Sequence, residues 1–197
     1  AKATARVYAN HGYDLYLAAR NCEEFKPFAT DLHLRTQRTI KAIELDILDF
    51  NNHQKFYDQL EEKPVGTISA VGYLGDQQTA ENDFNEVKQI LDTNYTGIVS
   101  LHNIIANDFE KRKSGWIVVI SSVAGDRGRK SNYIYGSAKA ALTAYLSGLR
   151  NRLFDSGVFV LTVKPGFVDT KMTEDIDLLP KLTAQPLEVA ADIYKAQ

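Results

Sequence analysis

Short apolar runs alternate along the chain with longer segments whose apolar residues recur every three or four positions. The run Trp116-Ile117-Val118-Val119-Ile120 is β-branched and lacks polar alternation, with Gly115 and Ser121 on either side. A strand buried on both faces reads this way. Further strands are predicted over residues 14–19, 39–45, 65–71 and 158–163. Helices are predicted over 23–36, 50–62, 79–111, 135–154 and 186–197, with Gly157 stopping one and Pro165 ending the strand after it. The long 79–111 segment is expected to break near Asn94, because Asn, Thr and Gly in Asn94-Tyr95-Thr96-Gly97 are poor helix-interior residues. Strands and helices in alternation build a parallel sheet with both faces covered, and right-handed crossovers make it doubly wound. The expected fold is α/β in three α/β/α layers, a single domain over residues 1–197.

The chemistry concentrates after the Trp116 strand. Its carboxyl end delivers Ser121-Ser122, and thirteen residues after Ser122 comes Tyr135-Gly136-Ser137-Ala138-Lys139. Open α/β sheets hold ligands at that end of their strands. Tyr135 and Lys139 stand four apart among strong helix formers, so both project from one helix face. A free phenol titrates near pH 10, and a nearby ammonium is expected to draw that value down. Such a pair can move a proton on or off a carbonyl or alcohol oxygen.

A strand ending in Ser-Ser, a loop, and Tyr and Lys on a helix together resemble the short-chain dehydrogenase/reductase family, of Rossmann-like fold. By that resemblance Ser122, Tyr135, Lys139 and Asn94 are the catalytic residues, Asn94 lying in an Asn-x-x-Gly segment. A kinked turn there is expected to free a carbonyl for a water that relays protons to Lys139. Lys164-Pro165-Gly166-Phe167-Val168-Asp169-Thr170 resembles the segment in which Pro165, Gly166 and Val168 approach the nicotinamide and Thr170 the cofactor phosphates. Ala70 and Gly72 lie at the end of the 65–71 strand, where the family often has Asn-Asn-Ala-Gly; here Ser69-Ala70-Val71-Gly72 keeps only the glycine. Asp46, with Ile47 beside it, matches the aspartate that meets the adenine amino group. Asp46 could equally be a helix cap, although Asp49 is better placed for that. After the first strand the chain reads Ala18-Ala19-Arg20-Asn21 and offers no carboxylate to a ribose. Arg20 can pair with a 2′-phosphate, so NADP(H) is favoured over NAD(H). Val71-Gly72-Tyr73-Leu74-Gly75-Asp76 and Ser122-Val123-Ala124-Gly125-Asp126-Arg127 are similar to the branch that reduces the 2-keto group of decaprenylphosphoryl-linked ribose. Arg127, Arg129 and Lys130 would then receive a substrate phosphate, or else form an ordinary solvated loop. A non-catalytic NADP(H)-binding sensor or scaffold is the competing reading. The family also joins its long helix to a second subunit, which implies a homodimer or homotetramer.

Composition narrows these expectations without redirecting them. The chain has 197 residues, 44% hydrophobic and 24% charged, with a formal net charge of −2. That balance argues against nucleic acid as a partner. One cysteine, Cys22, excludes an intramolecular disulfide and fits a reducing, cytoplasmic setting, peripheral to the membrane if the substrate is lipid-linked. No apolar run reaches the ~18 residues of a transmembrane segment. The four histidines lack ligand-like spacing, so no metal is expected. The opening residues read as the middle of a helix. A dinucleotide-binding fold places a strand and a glycine-rich turn before such a helix, so these, and a last strand after residue 197, are expected beyond the ends.

Overall fold

The computed structural model describes residues 1–174 and 182–197. In chain order the elements are α1 (Lys2–Asn10), β1 (Leu15–Ala19), α2 (Lys26–Thr36), β2 (Ile40–Glu44), α3 (His53–Asp58) and β3 (Gly66–Ser69). There follow α4 (Gln77–Ala80), α5 (Phe84–Leu91), a π-helical turn (Asp92–Thr96), α6 (Gly97–Arg112) and β4 (Trp116–Ile120). The remainder is α7 (Tyr133–Leu153), β5 (Phe159–Val163), the two-residue strands β6 (Phe167–Val168) and β7 (Thr183–Ala184), and α8 (Pro186–Ala196).

All strand pairings are parallel. β1 pairs with β2, β4 lies between β3 and β5, and β6 pairs with β7. β4 explains why its sequence shows no alternation. Ile117 and Val119 pack with Ile105, Leu142 and Leu146 on one face, while Val118 packs with Tyr8 and Ile193 on the other. All three β4 residues are fully buried. The layers are therefore α1, α2 and α8 on one side and α3, α6 and α7 on the other. This is the expected doubly wound α/β fold.

Between the β1–β2 pair and the β3–β4–β5 sheet lies a cavity of about 620 Å³, lined by Leu15 and Leu17 of β1, Thr67 and Ile68 of β3, and His102 of α6. β1 and β3 thus face each other across a gap, each with one edge unpaired among the described residues.

Several boundaries differ from expectation. α3 stops at Asp58, and the 79–111 segment divides at Asp83 as well as at Asn94. Asp83 caps α5 by accepting the Asn85 N–H at 2.9 Å. Asp49 does not cap a backbone N–H as expected; its carboxylate takes the Asn52 side-chain amide instead. Near Asn94 the break is a π turn, closed by a hydrogen bond from Gly97 N to Asp92 O. Gly97 then passes so near the loop after β2 that a Cβ would stand 2.3 Å from Ile47 O. Gly97→Ala is expected to destabilise the protein by about 1–3 kcal/mol, the usual cost of overpacking. Urea unfolding of the two proteins measures it directly.

Candidate active site

Because the strands run parallel and in register, residues that follow them gather along one edge of the fold. Arg20 follows β1, Asp46 follows β2, Ala70 follows β3, Ser121-Ser122 follow β4, and Pro165 lies just beyond β5. α7 crosses that edge at β4. Two glycines allow the close approach: a Cβ on Gly136 would lie 2.7 Å from Ala124 O, and one on Gly125 2.7 Å from Ala140 N. The one-turn helix Val123–Gly125 therefore sits directly on α7 and brings the Ser122 hydroxyl beside the Tyr135 phenol. Ser122 also accepts the Ala124 N–H at 3.1 Å.

Ser121 has a different partner set. Its buried hydroxyl donates to Lys139 O at 3.1 Å and lies 2.8 Å from Thr143 Oγ1. It ties β4 to α7, a partner set distinct from that of Ser122.

Lys139 is 2% exposed, and among the described residues its ammonium has one hydrogen bond, to Ile120 O at 3.2 Å. Nζ lies 5.7 Å from the centre of the Tyr135 ring. Burial lowers the Lys139 pKa to about 8. The expected effect of the lysine on the phenol is not what the structure shows. Burial raises the Tyr135 pKa, and the opposing influence is the hydrogen bond from Ser122. Desolvation of the phenol decides the direction, with the ammonium over the face of the ring.

Asn94 is wholly buried, and its carboxamide is fully engaged. Nδ2 donates to Tyr73 O at 2.6 Å and to Ile90 O at 2.8 Å, while Oδ1 accepts the Tyr73 N–H at 3.2 Å. The side chain is thus a clasp on the turn after β3. Gly72, beside the clasp, completes the group: a Cβ there would lie 3.5 Å from Asn94 Oδ1, 3.8 Å from Lys139 Nζ and 3.2 Å from Met172 Cε. Asn94, Gly72, Lys139, Tyr135 and Ser122 are therefore contiguous.

The other predicted residues spread along the edge. Arg20 is exposed and makes no ion pair among the described residues. Asp46 is exposed and accepts the Leu48 N–H at 2.9 Å, a local turn and not a helix cap. Ile47 packs its side chain into the main core, so only its main chain is available to a ligand. Ala70 is exposed. Pro165 O accepts the Val123 N–H at 3.2 Å and joins its segment to the turn after Ser122. Gly166 is exposed, Val168 half-buried, and Thr170 begins a turn in which it shares a capping box with Thr173. Arg127, Arg129 and Lys130 are exposed, while neighbouring Asp126 pairs with Lys164. Among the described residues no group of His, Cys, Asp or Glu converges as a metal site, and no helix is long and apolar enough to cross a membrane.

Sequence reasoning missed Tyr73, Gln77 and Glu86. Tyr73 carries the main chain that Asn94 clasps, and its side chain packs against the cluster of Ala80, Ile90 and Tyr135. The spacing Asp83-x-x-Glu86 is that of a capping box, which would assign Glu86 to its own helix.

The family model for short chain dehydrogenases matches residues 1–179. An uncharacterised oxidoreductase of Mycobacterium tuberculosis is 39% identical over 188 residues, covering 94% of this chain and 75% of that protein. Another, of Streptomyces coelicolor, is 34% identical over 196 residues, covering 97% and 76%. Among solved structures, a short-chain dehydrogenase from Sphingobium yanoikuyae in complex with NADPH matches with a TM-score of 0.88 at 22% identity, over 98% of this chain and 78% of that one. At that identity the likeness is one of fold.

Proposed function

The chain belongs to the short-chain dehydrogenase family, and from that premise we propose that it is an NADP(H)-dependent oxidoreductase acting on a carbonyl or secondary alcohol. The observation that carries this reading is the contiguous group of Ser122, Tyr135 and Lys139, with an ammonium that is buried yet has a single carbonyl partner among the described residues. A buried cation so sparsely bonded suits polar atoms that a ligand brings.

Bound nicotinamide supplies or accepts the hydride; the protein supplies orientation and the proton. Ser122 donates a hydrogen bond to the substrate oxygen and holds it beside Tyr135. Tyr135 gives that oxygen its phenolic proton in the direction of reduction, and takes it back in oxidation. Lys139 bonds the cofactor ribose and holds the proton that restores the phenol, with the Asn94 turn binding the water that reaches it. Gly72, Ala70, Pro165, Gly166 and Val168 give the cofactor a close approach to the main chain. Asp46 and Ile47 receive the adenine, Arg20 a 2′-phosphate, and Thr170 the bridging phosphates.

The substrate we propose is the keto group of a lipid-linked sugar, with Arg127, Arg129 and Lys130 receiving its phosphate. Such a substrate would place a cytoplasmic homodimer or homotetramer beside a membrane surface. The cavity between β1 and β3 suits one further parallel strand, whose glycine-rich turn would meet the cofactor phosphates.

Titration with NADPH and NADH, followed by nicotinamide fluorescence, tests the cofactor. NADPH is expected to bind more tightly, and Arg20→Leu to cut that preference by about 10-fold to 100-fold, the value of a charge-assisted phosphate contact. Equal affinities, or no binding of either, would refute the NADP(H) assignment.

A further inference from the structure

Glu86 lies outside the group just described, yet one of its oxygens holds a wall of it. Glu86 Oε1 accepts both the Tyr73 phenol and the Asp76 N–H, each at 2.9 Å. Between these two donors, Gly75 adopts φ +70°, where a Cβ would stand 2.4 Å from Ile90 Cδ1 and 2.8 Å from Glu86 Oε1. Only glycine fits there, and it presses the 73–76 turn onto α5.

The turn is anchored at both ends to the reacting group. Upstream, the Tyr73 main chain is clasped by the Asn94 carboxamide, and Gly72 adjoins Lys139. Downstream, Asp76 caps α4 by accepting the Thr79 N–H at 2.7 Å, and α4 presents Gln77 Oε1 to the Ile134 N–H at 3.2 Å. Ile134 directly precedes Tyr135 at the start of α7. Asn132, at the N-cap position of that helix, makes no side-chain cap. Gln77 therefore satisfies one of the helix's orphan donors from 57 residues away in sequence.

We infer that Glu86 is a positioning residue, fixing the 73–76 turn and through it both the Asn94 clasp and the start of the helix that bears Tyr135 and Lys139. The inference rests on the roles proposed above for Asn94, Tyr135 and Lys139. What the position needs is an acceptor oxygen with two lone pairs, not a charge. Glutamine offers the same oxygen; alanine offers none.

The test compares Glu86→Ala, Glu86→Gln and Tyr73→Phe by hydrogen exchange of the Asn94 side-chain amide protons in NMR, alongside turnover of a small ketone with NADPH. Glu86→Ala is expected to speed Asn94 exchange by at least about tenfold, because both bonds that Oε1 accepts are lost, and to lower kcat with little change in cofactor Kd. Glu86→Gln should return both to within about twofold of the parent. Tyr73→Phe should show the same direction with a smaller effect, which keeps the test valid if Glu86→Ala does not fold. Unchanged Asn94 exchange in Glu86→Ala and Tyr73→Phe overturns the inference, as does failure of Glu86→Gln to restore it. A parent protein that lacks turnover, but whose Asn94 exchange responds as expected, would refute the catalytic roles and leave the positioning intact.

Discussion

Tyr135→Phe is expected to lower turnover by about 10²-fold to 10⁴-fold, the usual contribution of a positioned general acid, while leaving cofactor affinity nearly unchanged. The substitution deletes one oxygen from a buried ring that packs beside Ala80 and Ile90, so the fold has no reason to move. What disappears is the proton donor and the partner of the Ser122 hydroxyl. Burial raises the Tyr135 pKa, so the phenol keeps its proton through neutral pH and stands ready as an acid for carbonyl reduction. In the mechanism proposed above its resupply would run through Lys139, whose pKa is lowered to about 8. Reduction measured as kcat/KM, which reports the free enzyme, should therefore hold steady below pH 8 and fall above it as the ammonium gives up its proton. Ser122→Ala should fall between the parent and Tyr135→Phe, since orientation of the oxygen is lost but the acid remains. Substantial turnover by Tyr135→Phe would remove this residue from the reaction.

The features legible in the sequence were those set by local spacing or by burial on both sides of a strand. Trp116–Ile120 was readable because an inner strand of a parallel sheet needs apolar residues on both faces, and Val118 and Val119 do face opposite layers. Tyr135 and Lys139 were readable because helical periodicity alone puts them on one face. A break at Asn94 could be foreseen from helix propensity, but its form as a π turn could not. The clasp of Asn94 on Tyr73 spans 21 residues, and no local pattern announces it. Glu86 was masked for another reason: its spacing from Asp83 fits a capping box, while the structure gives its oxygen to Tyr73 and Asp76. The effect on Tyr135 was misjudged because charge proximity can be guessed from four-residue spacing, whereas desolvation depends on everything packed around the ring. β6 and β7 carry two residues each, too few for any periodicity.

Lys139→Met is expected to make the cofactor-free protein more stable, although it should remove the activity. A lysine ordinarily titrates at 10.5, and here burial lowers that to about 8. Between those values the unfolded chain holds a proton that the folded protein has released. Stability is therefore complete above pH 10.5, falls as pH drops toward 8, and stays at its lower level below that. A difference of this size costs the folded protein about 3 kcal/mol at pH 7. Methionine fills a similar volume without a charge, and forfeits the bond to Ile120 O, worth about 1 kcal/mol. The net gain should be about 2 kcal/mol at pH 7, should vanish near pH 10, and should give way above that to a loss approaching the ~1 kcal/mol of the missing bond. Chemical unfolding of both proteins at pH 7 and pH 10 measures the gain and its pH dependence together. A loss of stability at pH 7 would mean that the folded protein solvates this ammonium well, and the case for a site awaiting polar ligand atoms would fall with it. A gain would show that the fold keeps a charge where folding alone disfavours one. The same desolvation that penalises Lys139 brings its proton within reach near neutral pH, so a more stable variant at this position should be a less active one.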